Sequence, residues 1–207
     1  MKEIKTNVSS QGKEGLIVIG DVHGKINHYW DIIKNHEGTS IQVGDFGFKS
    51  HHLWHHVNID PEKHQINFGN HDDYSFIKYP HSLGDFSYSG ESELMTIRGA
   101  FSIDRYIRTE GLDWWKEEEM NHKEMQKAVD FYLEKKPKIV ISHDAPHSVR
   151  ERYFKIKDKS LTTNGLQIMF EQHQPELWIF GHHHKSLSRV YKNTHFICLS
   201  ELEVFEF

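Results

Sequence analysis

One local pattern recurs five times in this chain and constrains its fold more than any bulk property: an apolar run that stops at a short polar turn. The turns read GDVHG at 20–24, GDFG at 44–47, GNHD at 69–72, SHD at 142–144 and GHHH at 181–184. Short apolar runs closed in this way are strands. Longer amphipathic stretches lie between them, which is the alternation of a layered α/β chain. Strands are expected at 16–19, 40–43, 65–68, 94–97, 138–141 and 177–180. Two helices have clear signals. Asn121 and Glu124 resemble a capping box ahead of MQKAVDFYLEKK, and TTNGLQIMFEQH carries Leu166, Met169 and Phe170 at helical spacing. A weaker helix is expected in NHYWDIIKN, and a closing hairpin or meander at the Lys192-Asn193 turn. No repeat, low-complexity tract or linker interrupts the pattern, so residues 1–207 read as one domain.

In open α/β sheets the carboxyl ends of the strands share an edge where ligand sites collect. The five turns therefore bring aspartates, an asparagine and histidines to one place, with glycines letting the backbone approach closely. Oxygen and nitrogen donors without thiolate favour a divalent metal such as manganese, iron or zinc. The set is too large for one ion. Histidine is the compositional outlier, at 18 residues against 5 prolines and 5 tryptophans. A net charge of -5 argues against a general nucleic-acid-binding surface, which leaves nucleic acid only as a substrate. Cys198 stands alone, so no internal disulfide forms, which suits a reducing compartment. No signal-peptide core and no apolar stretch of membrane-spanning length is present, so the expectation is a cytoplasmic protein without a membrane partner.

The five motifs in this order, each behind an apolar run, resemble the calcineurin-like metallophosphoesterases from about residue 17 to residue 184. That resemblance implies a β-sandwich core flanked by helices, with a dinuclear metal site at the strand ends. It implies that Asp21, His23 and His184 hold a first ion, that Asn70, His143 and His182 hold a second, and that Asp45 bridges both. The cofactors would be two divalent ions, manganese foremost, with iron or zinc as alternatives. His71 and Asp72 match the family's catalytic histidine and the carboxylate that orients it. The implied reaction is hydrolysis of a phosphomonoester or phosphodiester by a hydroxide that bridges the ions. His71 would stabilise the transition state or give a proton to the departing oxygen. Residues 98–119, RGAFSIDRYIRTEGLDWWKEEE, also resemble short bacterial and phage members.

Phosphoprotein phosphatases of this superfamily extend the second motif to Gly-Asp-x-Val-Asp-Arg-Gly, whereas this chain reads GDFGFKS, and they carry glutamate where it has Asp72. A phosphoprotein substrate therefore ranks below a generic phosphate ester. The missing arginine has four candidate replacements, Arg98, Arg105, Arg108 and Arg150, among which spacing does not choose. A nuclease using the same centre and a non-catalytic metal-binding scaffold stay open as alternatives. Other groups have plainer readings. HHLWHH at 51–56 reads as a solvated helix face, His183 as a spacer, and Trp114 and Trp115 as anchors of an acidic helix. Arg98 and Arg105 can equally make structural salt bridges, and His147 either faces the pocket or closes a turn. Oligomeric state leaves no mark in the sequence.

Overall fold

The apolar runs form strands whose alternate side chains serve two different cores. In the computed structural model, which describes residues 2–3, 15–50, 52 and 60–207, the order is β1 (Lys2–Glu3), β2 (Leu16–Ile19), α1 (Ile26–Lys34), β3 (Thr39–Gln42), β4 (His64–Ile66), β5 (Phe86–Ser89) and β6 (Leu94–Ile97). There follow α2 (His122–Lys135), β7 (Ile139–Ser142), the short α3 (His147–Val149), α4 (Leu161–Gln172), β8 (Leu177–Phe180), β9 (Leu187–Tyr191), β10 (Thr194–Cys198) and β11 (Val204–Glu206). The described strands build a seven-stranded sheet, β1-β5-β6-β7-β8-β10-β9, and a four-stranded sheet, β11-β2-β3-β4.

The two sheets face each other. Leu16 and Val18 of β2 join Ile41, Val43, Ile141 and Ile179 in the cluster between them. Ile17 and Ile19, pointing the other way, join Ile66, Phe68 and the Ile26, Tyr29 and Ile33 face of α1. A strand covered on both faces reads as an unbroken apolar run. On the far side of the larger sheet, Met95, Val140, Trp178 and Phe196 pack on Met125, Tyr132, Leu166 and Phe170 of α2 and α4. Each large side chain removed from water contributes about 1.5–3 kcal/mol. Two sheets flanked by helices is the architecture expected from the sequence.

Local signals place the elements. Asn121 Oδ1 accepts the N–H groups of Lys123 and Glu124 at 3.0 and 3.1 Å, and Glu124 Oε2 accepts the Asn121 N–H at 2.9 Å, so α2 begins in a reciprocal cap. Strands 16–19, 94–97 and 177–180 lie where expected, while 40–43, 65–68 and 138–141 shift by a residue or two to β3, β4 and β7. The expected terminal hairpin is β9 with β10, with Lys192 at φ 52 in its turn. β11 then leaves that sheet and pairs antiparallel with β2. β1 and β5 have no counterpart among the expected strands. The acidic helix after Trp114 and Trp115 shrinks to one turn, Lys116–Glu118, with Trp115 packed against the α1 side of the core. The expectation for 51–56 lies outside the described residues except for His52, which is exposed. Among the described residues no helix is long and apolar enough to cross a membrane.

β2, β3 and β4 run parallel, as do β7 and β8. Their carboxyl ends carry the five polar turns.

Candidate metal centre

Two backbone clamps build the site from those turns. The Val22 and His23 N–H groups donate to the Asp45 carbonyl at 3.0 and 2.8 Å, and the Gly24 N–H donates to the Phe46 carbonyl at 2.9 Å, which ties the first turn to the second. The His182 N–H donates to both Asp21 oxygens, at 3.2 and 3.0 Å, which ties the fifth turn to the first. The glycines are needed for this closeness. A Cβ on Gly181 would collide with Asp21 Oδ1, and one on Gly69 would collide with Asp45 Oδ1 and His143 Nε2.

The side chains gather in two groups that share Asp45. Ligand atoms of Asp21, His23, Asp45 and His184 lie within 4.8 Å of one another, and so do those of Asp45, His143 and His182. In the first group His23 Nε2 is 2.9 Å from His184 Nε2, 3.6 Å from Asp45 Oδ2 and 3.7 Å from Asp21 Oδ2. His184 Nε2 is 3.4 Å from Asp21 Oδ2. In the second, His143 Nε2 is 3.1 Å from Asp45 Oδ1 and 3.3 Å from Asn70 Oδ1, and the His143 and His182 ring centroids are 5.0 Å apart. Asp21, Asp45, Asn70 and His143 are buried.

Four of these residues hold a left-handed backbone: His23 at φ 47, Asp45 at φ 60, His182 at φ 66 and His184 at φ 50. Each such residue costs roughly 1–3 kcal/mol and persists where its surroundings over-determine it, as at functional sites. The carboxylate they surround is also incomplete. Asp45 Oδ1 accepts the His71 N–H at 2.7 Å, but Oδ2, equally buried, accepts no hydrogen bond. A buried carboxylate oxygen without a donor is costly. A cation among Asp21, His23 and His184 would complete it, so the donor set fits a metal ion.

Charge balance differs between the histidines. Burial drives the His182 imidazole down to about 3, so it is neutral and ready to coordinate. Burial also works to lower His143, but the Asp45 carboxylate overcomes it and raises the ring to about 9. Without a metal, His143 therefore holds a proton where an ion would sit. Burial opposes and the His143 charge favours ionisation of Asp45, which ends well below the usual carboxylate range.

His71 stands at the open side. Its ring centroid lies 5.2 Å from that of His23, and its Nε2 lies 3.2 Å from Arg108 Nη2. Arginine only donates, so Nε2 accepts and the neutral ring carries its proton on Nδ1. Burial, with help from Arg108, holds the ring below its ordinary value. A cavity of about 470 Å³ opens here, lined by His23, His71, Phe48, Lys49, Leu112 and Asp113 among others.

Asp72, expected to orient His71, accepts backbone N–H groups from three positions: Asp45 at 2.8 Å and Gly69 at 2.7 Å on Oδ2, and Gly47 at 3.1 Å on Oδ1. It fastens the second turn to the third. Of the four candidate arginines, Arg108 is the one beside His71. Arg98 is buried and bonded to Asp85 Oδ1 at 2.7 Å and the Glu117 carbonyl at 2.5 Å. Arg150 donates to the Asp158 carbonyl at 3.0 Å and lies 3.3 Å from Asp144, and the Arg105 guanidinium covers the Phe101 ring.

Three supporting residues had no reading of their own from sequence. Asp144, buried, has Oδ2 4.0 Å from His182 Nε2 and Oδ1 3.3 Å from His183 Nε2. Its place beside His143 in SHD was the available signal. Glu201 Oε1 lies 3.6 Å from His184 Nδ1 and Glu201 pairs with Lys25. Ser102 Oγ accepts from Asn70 Nδ2 at 3.1 Å. Glu201 belongs to no motif, and Ser102 lies in the 98–119 stretch without a role that the sequence assigned to it. His183 stacks on Phe154 with centroids 4.1 Å apart, and His147 begins α3 with Nε2 3.7 Å from Glu151.

A four-layered sandwich with aspartate and histidine clusters at its strand ends is the scaffold of a metallophosphoesterase. The model of the calcineurin-like phosphoesterase family matches residues 16–186, and the chain belongs to that family. A solved structure named as a putative 5'-nucleotidase from Staphylococcus aureus shares the fold at a TM-score of 0.50 and 14% identity, covering 90% of this chain and 48% of that one. This chain thus spans about half the length of that protein. No curated protein matches it.

Proposed function

We propose that this chain, acting as one domain, hydrolyses a phosphomonoester or phosphodiester at a centre of two divalent ions, with manganese the first choice of metal. The observation that carries the reading is Asp45, whose Oδ1 faces His143 while its donorless Oδ2 faces His23. One carboxylate addressing two clusters suits two ions at a short separation. Asp21, His23 and His184 complete the first set, and Asn70, His143 and His182 the second. When bound, the ions supply Lewis acidity and a water acidified toward hydroxide, the nucleophile for displacement at phosphorus.

The chain's own groups do the rest. Asp45, ionised, holds the two clusters together, and Asp72 sets the loops on which Asp45 and His71 ride. Arg108, held through Nη2 by Asp104 Oδ2 at 2.8 Å and through Nη1 by the Asp113 carbonyl at 3.2 Å, brings a fixed positive charge beside His71 for a phosphoryl oxygen. His71 lies between Arg108 and the first cluster, placed to stabilise phosphoryl charge or to serve the departing oxygen. The cavity beside it receives the leaving group. A cytoplasmic setting is part of the reading, with nucleic acid admitted only as a substrate.

The discriminating experiment is a manganese-supplemented screen over phosphomonoesters, phosphodiesters, dinucleotide polyphosphates and phosphopeptides. Turnover of a non-peptide ester that stops on chelation is the expected result. Two ions bound with no ester hydrolysed would make the chain a scaffold.

A further inference from the structure

Asn70 has two chemically opposite ends. Its carbonyl oxygen can face a cation, and its amide nitrogen cannot. In the structure Oδ1 lies 3.3 Å from His143 Nε2, toward the second cluster, and Nδ2 donates to Ser102 Oγ at 3.1 Å. Ser102 is itself committed: its hydroxyl donates to Glu118 Oε2 at 2.7 Å, and its N–H donates to Oε1 at 2.8 Å. All three residues are buried, at 4% exposure for Asn70 and 2% for each of the others.

We infer that Ser102 and Glu118 are positioning residues that decide which end of Asn70 meets the second ion, an inference that rests on the ligand assignment above. Both Glu118 oxygens accept from Ser102, Oε1 its N–H and Oε2 its hydroxyl, so Glu118 takes the single proton of that hydroxyl. The hydroxyl is left with lone pairs, which require a donor from Asn70. The chain of bonds therefore runs one way, from the Asn70 amide through Ser102 to Glu118. A flipped Asn70 would set its oxygen against the Ser102 lone pairs and its NH2 against the cation. Glu118 is anchored in turn, since the Tyr74 hydroxyl bridges the Gly69 and Glu118 carbonyls at 3.0 and 3.2 Å. The excursion at 98–119 that carries Arg108 to His71 thus also sets a ligand of the second cluster.

Manganese binding measured by competition with a chelating dye, on wild type and variants, tests this without reference to turnover. Ser102→Ala should bind the first ion as wild type does and the second roughly 10- to 100-fold more weakly, the usual cost of losing a partner behind a ligand. Glu118→Gln should weaken the same ion, and Ser102→Thr, which keeps the hydroxyl, should restore it. On an Asn70→Asp background, where an oxygen faces the ion whichever way the side chain turns, Ser102→Ala should cost less than on wild type. A purely structural role would give the same loss on both backgrounds and overturn the inference. So would wild-type affinity for both ions in Ser102→Ala, or an equal weakening of both ions. The thermal midpoint of the metal-free chain separates a folding defect, and Ser102→Thr and Glu118→Gln carry the test if Ser102→Ala does not fold. A wild-type chain that binds one ion fails the ligand assignment itself, whereas two ions with an indifferent Ser102→Ala fails this inference alone.

Discussion

The His143 side chain is fully buried and the His184 side chain is 47% exposed, although the proposed centre gives them equivalent duties on either side of Asp45. Their surroundings differ in the same sense. His182, His143's neighbour, has buried Asp144 near it, and Asp144 is held by the Ala145 N–H at 2.7 Å. His184 faces Glu201, which pairs with Lys25 at the surface. Asn70 is fixed by a buried relay, while His23 sits at the cavity mouth. The second cluster is therefore enclosed by the fold, whereas His184 of the first stands partly open to solvent. Preorganisation lowers the cost of binding. The buried cluster should hold its ion more tightly, and the exposed one should exchange.

The largest effect should come from the residue both halves share. Asp45→Asn replaces a carboxylate by a neutral amide facing two cations and should lower kcat/KM by roughly 1,000-fold, about 4 kcal/mol, with both ions weakened in metal analysis. Loss of one ion alone would break the claim that the halves are joined there.

Next comes His71, which belongs to neither half. His71→Ala should keep both ions and slow the chemical step by roughly 100- to 10,000-fold. Comparing alkyl with nitrophenyl phosphates then assigns its role. A loss concentrated on the alkyl ester, whose alkoxide needs a proton, marks a proton donor. An equal loss on both marks a group that stabilises phosphoryl charge, the outcome favoured by an Nε2 that accepts from Arg108. Loss of metal would instead make His71 a ligand.

Smaller effects sharpen the contrast. His143→Ala should weaken the second ion by at least about 100-fold and His184→Ala the first by only about tenfold, since losses behind a ligand alone span 10- to 100-fold. Equal losses in competition binding would erase the distinction. The smallest effect is on stability and pH. His143, raised to about 9 in the metal-free chain, gives stability that is full below its unfolded value of 6.5 and is lost as pH rises toward 9. His182, lowered to about 3, gives stability that is full above 6.5 and is lost as pH falls toward 3. The thermal midpoint of the chelated chain should thus peak near pH 6.5, and saturating manganese, replacing the His143 proton, should flatten the alkaline side. A metal-independent alkaline fall would assign it to another group.

What the sequence made legible follows the same divide between local and long-range causes. Leu16 to Ile19 announce a strand because both faces are buried, and Asn121 with Glu124 announce a helix start within four residues. The strand ends carry their polar residues in compact motifs, so the two clusters could be anticipated from order alone. The residues that support them could not. Ser102 and Glu118 are 16 positions apart and meet only because the excursion folds back on Asn70. Arg108 was indistinguishable from three other arginines until that excursion brought it to His71. β11 crosses to the other sheet to pair with β2, a choice that depends on which edge is free. Asp72 was anticipated by type, whereas the three backbone amides that its carboxylate accepts were not.

The central claim is that Asp45 joins two clusters that each hold an ion, and counting the ions tests it most directly. Metal-stripped protein titrated with manganese to saturation, then freed of excess and assayed for protein and metal, should contain two ions per chain, with the ion of the buried second cluster bound more tightly than that of the first. One ion per chain, or none, would contradict the account.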